Sequence, residues 1–99
     1  MTDRLFNSNE LKLICQISLI IKHSPTGFCW GNEDQQMRVA SWEDFEHDNY
    51  SIIVCFNTKS WTIYVPHYTQ PIKKSINIKL SRIMTLLYIN GYNDNERDI

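Results

Sequence analysis

The stretch Ser51–Val65 reads SIIVCF, then Asn57-Thr58-Lys59, then SWTIYV. Two runs rich in β-branched and aromatic residues, parted by three polar residues, predict an antiparallel hairpin. In the second run Trp61, Ile63 and Val65 share one face while Thr62 and Tyr64 share the other, the period of two that a half-buried strand shows. The first run, Ser51–Phe56, is almost wholly apolar, so it is expected to be the more central strand. Pro66 ends the second run, because proline has no N–H for a ladder.

Downstream, a helix is expected over about residues 71–90, starting between Gln70 and Ser75. Pro71 is tolerated in a first turn. Ile72, Ile76, Leu80, Ile83, Met84 and Leu87 recur at helical spacing on one face. Gly91 fits the position after the C-cap, with Tyr92 placed to pack back on Leu87. The tail, residues 93–99, is polar and is expected to fray.

Upstream, a helix is expected over about residues 8–23. Asn7 is a good N-cap, Glu10 completes a capping box, and Phe6 and Leu11 hold hydrophobic-staple positions. Leu13, Ile14, Ile17, Ile20 and Ile21 make the inward face. Leu11, Cys15 and Leu19 widen the apolar arc, which suggests cover on two sides. A strand over Cys15–Leu19 is the alternative, since apolar and polar residues alternate there. Ser24–Gly27 turns the chain. Short strands are expected at Phe28–Gly31 and Met37–Ala40, with a polar turn at Asn32–Gln35 between them. Ser41 is then expected to cap a brief helical turn, Trp42–His47, with Trp42 and Phe45 facing inward.

This order predicts an α+β fold. A small antiparallel sheet, the hairpin plus one or two short strands, packs on two long helices in two layers. Ninety-nine residues suit one globular domain over 1–99. Apolar residues make up 42% and charged residues 21%, too apolar for a disordered chain. The most apolar window, Leu13–Ile21, is far short of the about 20 residues a spanning helix needs. There is no leader-like start, so a cytoplasmic protein without membrane contact is expected. Cys15, Cys29 and Cys55 are an odd, widely spaced set in apolar contexts. They suggest reduced, buried thiols, although one disulfide plus a free thiol fits the count as well.

Charge is segregated. Residues 33–48 carry Glu33, Asp34, Glu43, Asp44, Glu46 and Asp48 against one base, Arg38. Residues 59–82 carry Lys59, Lys73, Lys74, Lys79 and Arg82 and no acid, while the whole chain nets only −1. Such poles can steer and orient a charged partner. The acids are interleaved with Trp42, Phe45 and Tyr50, and Trp30 lies just before them. Carboxylates can take bidentate bonds from arginines that otherwise meet phosphate. The expected partner is therefore a basic protein, a nuclease-type toxin or a nucleic-acid-handling complex. Its groups would be occluded by Glu33, Asp34, Glu43, Asp44, Glu46 and Asp48, with Trp30, Trp42 or Tyr50 as buried anchors. The alternative is a small nucleic-acid-binding regulator using Lys59, Lys73, Lys74, Lys79 and Arg82, with Trp61, Tyr64, His67 and Tyr68 available for stacking. A pI near 6.3 speaks against it.

Other chemistries find little support. His23, His47, His67 and the cysteines fall in no zinc-ligand spacing. A pair such as Cys29 or Cys55 with His67 needs a proximity that sequence does not show. Glu43 and Glu46 could imitate a glycosidase dyad, but so short a chain offers no long cleft. Three glycines, Gly27, Gly31 and Gly91, make no phosphate loop. No catalytic residue, cofactor or metal is expected. In size, acidic patch and lack of a catalytic motif the chain is similar to bacterial immunity proteins that neutralise toxins, and to small phage-encoded inhibitors. That likeness is one of profile and rests on no motif. The apolar first helix and open sheet edges also allow a homodimer.

Overall fold

The computed structural model describes residues 6–30, 38–46, 49–64 and 74–94. Its centre is the expected hairpin, β3 (Tyr50–Cys55) and β4 (Ser60–Tyr64), joined by a turn in which Lys59 takes a positive φ of 52°. The register sets Ile52 opposite Ile63 and Val54 opposite Trp61. These four are buried, while Ile53 and Tyr64 on the other face are exposed. The apolar strand β3 lies in the middle of a five-stranded sheet of order β1-β2-β3-β4-β5. The strand β1 (Gly27–Trp30) forms one edge.

The strand β2 (Arg38–Asp44) corrects the expectation of a strand at 37–40 and a helical turn at 42–47. Ser41 is mid-strand rather than a cap. A cap is worth about 1 kcal/mol. Ladder pairing to β1 over 38–41 and to β3 over 39–44 serves the backbone here, and Thr26 takes the Glu43 N–H beyond the end of β1. The pairing also buries Ala40 and Trp42 at alternate positions. Tertiary pairing therefore outweighs the local signal. The Asp44 carboxylate still makes a turn, accepting the Glu46 N–H at 3.2 Å. His47, and the turn expected at Asn32–Gln35, lie outside the described residues.

The helix α1 (Ser8–Ile21) begins with the full capping box: Asn7 Oδ1 accepts the Glu10 N–H at 2.9 Å and Glu10 Oε1 accepts the Asn7 N–H at 3.0 Å. Phe6 is buried against the rings of Phe28 and Phe56. Lys22 closes the helix in the left-handed region, φ 69°. Leu13, Ile14, Ile17 and Ile21 face the core. The expected second cover is absent among the described residues, since Leu19 is 73% exposed and Cys15 is exposed. The sheet absorbs one face of α1 and nothing described absorbs the other. Cys15 is thus not a buried thiol, and Cys55 is only half-buried.

The helix α2 (Lys74–Ile89) buries Ile76, Leu80, Ile83 and Leu87, with Met84 at the exposed margin. Its end is a Schellman turn: the Tyr92 N–H reaches Leu87 O at 2.9 Å, the Gly91 N–H reaches Tyr88 O at 3.0 Å, and Gly91 has φ +85°. That turn delivers Asn93–Asp94 alongside β4 as a parallel strand β5, and the Asn93 N–H donates to Lys59 O at 2.8 Å. These two residues are paired, where fraying was expected from residue 93.

The fold is α+β: two helices on a five-stranded, mostly antiparallel sheet. One core joins Leu13, Ile17 and Ile21 of α1 and Ile76, Leu80, Ile83 and Leu87 of α2 to Ala40, Trp42, Ile52, Val54, Trp61 and Ile63 of the sheet. The Cα radius of gyration is 13.6 Å, near the ~13 Å of a compact chain of this length.

Candidate functional site

The acidic surface is built on the end of β2. Glu43 and Glu46 are exposed, Asp44 is half-buried, and Phe45 between them is 54% exposed. Thr26, just before β1, holds the backbone there. Its hydroxyl accepts the Glu43 N–H at 2.9 Å and lies 3.3 Å from Glu43 O, and its own N–H donates to Ser41 O at 2.7 Å. The Asp44 bond to Glu46 fixes the next step. Glu43 and Glu46 make no ion pair among the described residues.

Arg38, the one base of this segment, is turned away from the acidic turn. Its Nη2 donates to Glu10 Oε2 at 2.9 Å, joining β2 to α1. Arg38 therefore does not offset Glu43 and Glu46. The same inner cluster holds Tyr92, whose phenol is pushed up to about 12 by burial first, with the Glu10 carboxylate adding to the shift and Arg38 opposing it.

Two expected anchors are corrected. Trp42 and Tyr50 have at most 1% of their surface exposed, so neither can enter a partner. Trp42 donates its indole N–H to Ser18 Oγ at 3.2 Å, and the Tyr50 hydroxyl bonds His23 Nε2. Phe45, expected inward, is the aromatic ring that stands out. A strand reading of 38–44 would have revealed this, because alternation puts 40 and 42 inward and leaves the strand to end before 45. Glu33, Asp34 and Asp48 lie outside the described residues, as does the side chain of Trp30.

The described basic side chains, Lys59, Lys79 and Arg82, do not gather into one stripe. Lys59 borders a hollow with Asn90 and Tyr92, at the C-terminal end of α2. Lys79 and Arg82 lie in the other half of α2, beside Leu19 and Lys22 of α1. Lys73 and the side chain of Lys74 lie outside the described residues. The glycosidase and Cys–His ideas gain nothing: the Cys55 thiol donates to Asn57 Oδ1 at 3.0 Å, and His67 is outside the described residues. Among the described residues no three His, Cys, Asp or Glu side chains converge as metal ligands, and no helix is long and apolar enough to cross a membrane. Comparison with known proteins finds no family model, no curated protein and no solved structure that matches this chain.

Proposed function

We propose that this chain is a small protein-binding inhibitor, of the immunity-protein or phage-inhibitor kind, that occludes a basic, nucleic-acid-handling partner such as a nuclease-type toxin. The observation that supports this reading is Phe45, more than half exposed between Glu43 and Glu46, whose carboxylates make no ion pair among the described residues, on a turn braced by Thr26. An exposed aromatic ring with acids on both sides in sequence supplies both parts of a tight contact: an apolar anchor that excludes water, and acceptors for guanidinium groups that otherwise bind phosphate. The reading needs no catalytic group, cofactor or metal of this chain.

Affinity purification from the native cell extract at low and high salt, with a nuclease-treated control, tests it. A stoichiometric basic protein, released by salt but not by nuclease, is the expected result. Glu43→Lys/Glu46→Lys should then slow association and abolish its salt dependence, and Phe45→Ala should speed dissociation. Nucleic acid co-purifying in place of protein would shift the function to Lys59, Lys73, Lys74, Lys79 and Arg82. Unchanged binding by the acidic-turn variants would remove this surface from the function.

A further inference from the structure

Helices α1 and α2 bury one face each, and between their outer faces runs a groove of about 540 Å³. It is lined by Ile20, Ile78, Arg82, Thr85, Leu86 and Ile89. A second hollow shares Ile20, Ile78 and Arg82 and adds Leu19, Lys22 and Lys79. Leu19 and Ile89 are each 73% exposed and Ile78 is 54% exposed. Three large exposed aliphatic side chains thus border two adjoining shallow hollows that share Ile20, Ile78 and Arg82. The rim is of one sign: Lys22, Lys79 and Arg82 border the hollows, no acid lines either one, and none of the three has an ion-pair partner among the described residues.

We propose that this groove seats an amphipathic helix of a partner protein, apolar on the face it inserts and flanked by Asp or Glu. The shape favours a helix. The two helices run antiparallel, with the start of α1 near the end of α2, and α2 with 16 residues is about 24 Å long. A third helix laid along them meets Leu19, Ile78 and Ile89 with side chains at i, i+3, i+4 and i+7. The charge selects its flanks, since acids there pair with Lys22, Lys79 and Arg82. A second copy of the chain suits the groove poorly, because a two-fold contact sets the same cations against each other. Nucleic acid would satisfy the cations and leave the three aliphatic side chains in water. The proposal shares no residue with the acidic turn and stands or falls apart from it.

Two labelled synthetic peptides of about 18 residues provide the test, both with leucines along one helical face, one flanked by glutamates and one by lysines. In anisotropy titrations the glutamate peptide should bind the full chain at least about tenfold more tightly than the lysine peptide. Lys79→Glu/Arg82→Glu should invert that preference. Leu19→Glu/Ile78→Glu, at exposed positions that leave the core intact, should weaken the glutamate peptide by about tenfold or more. No binding of the glutamate peptide, or a preference that the charge reversal leaves unmoved, overturns the proposal. Sedimentation of the free chain as a dimer that Leu19→Glu dissociates overturns it too, since a second copy then covers the groove.

Discussion

Trp42 ties β2 to α1 through a fully buried ring and a bond to Ser18, while Phe45, three positions on, touches mostly water. Truncating the two should therefore separate stability from binding. Trp42→Ala leaves a cavity and takes the indole N–H from Ser18 Oγ, whose hydroxyl still donates to Ile14 O at 2.7 Å, and about 3–5 kcal/mol should be lost. Phe45→Ala should change stability by less than about 0.5 kcal/mol. Urea unfolding of both variants checks this, and equal losses would show that Phe45 belongs to the core. Tyr92 gives a second residue-scale prediction. Its phenol ionises near 12 in the fold against 10.0 unfolded, because the fold holds the neutral form in a buried site beside the Glu10 carboxylate. A raised acid favours the folded state fully below pH 10, and that contribution fades as pH rises toward 12. In an alkaline absorbance titration Tyr92→Phe should remove a step that ionises late. A late step that survives Tyr92→Phe unchanged would refute the shielding of Tyr92.

At the scale of elements, the two helices and the hairpin were legible because local chemistry and burial agree there. Asn7 and Glu10 form the capping box their spacing announces, and Gly91 takes the left-handed conformation that ends α2. Gly91 makes this testable. A Cβ there would meet nothing within 4 Å, so any penalty in Gly91→Ala comes from backbone strain alone. About 1 kcal/mol is expected, with Gly91→Asn milder because asparagine tolerates that region. A thermal melt reads both, and an unchanged Gly91→Ala melt would mean that the turn relaxes freely. The strand β2 was illegible for the opposite reason. Ser41 and Asp44 mimic a helix start, and only the neighbouring strands, unseen in a local window, decide otherwise. The pairing of Asn93–Asp94 was hidden in the same way, since two polar residues carry no strand signal and are placed by the turn before them. The candidate site followed suit. Its acids were visible as a charge run, but which aromatic ring stands outside depended on the strand register.

At the scale of the whole molecule, one core crosses both layers, and this dictates how the chain should unfold. Trp42 and Trp61 lie within it, joined by Ile52 and Val54 of the central strand to the buried faces of α1 and α2. Removing either helix would bare the inner face of the sheet, where burial of each large apolar side chain is worth about 1.5–3 kcal/mol. A helix layer that melted ahead of the sheet would forfeit several such contributions at once, more than the 5–15 kcal/mol total typical of a domain can lose. The fluorescence of Trp42 and Trp61, read in a Trp30→Phe background so that it reports the core, and far-UV circular dichroism, weighted toward the helices, should therefore trace one curve in urea with a single midpoint. Leu19→Glu and Ile78→Glu should leave that midpoint nearly unmoved, because both side chains lie outside the shared core. Separate midpoints would mean that the helices hold to the sheet more weakly than to one another. The groove between their outer faces would then change shape whenever the helix pair shifted on the sheet.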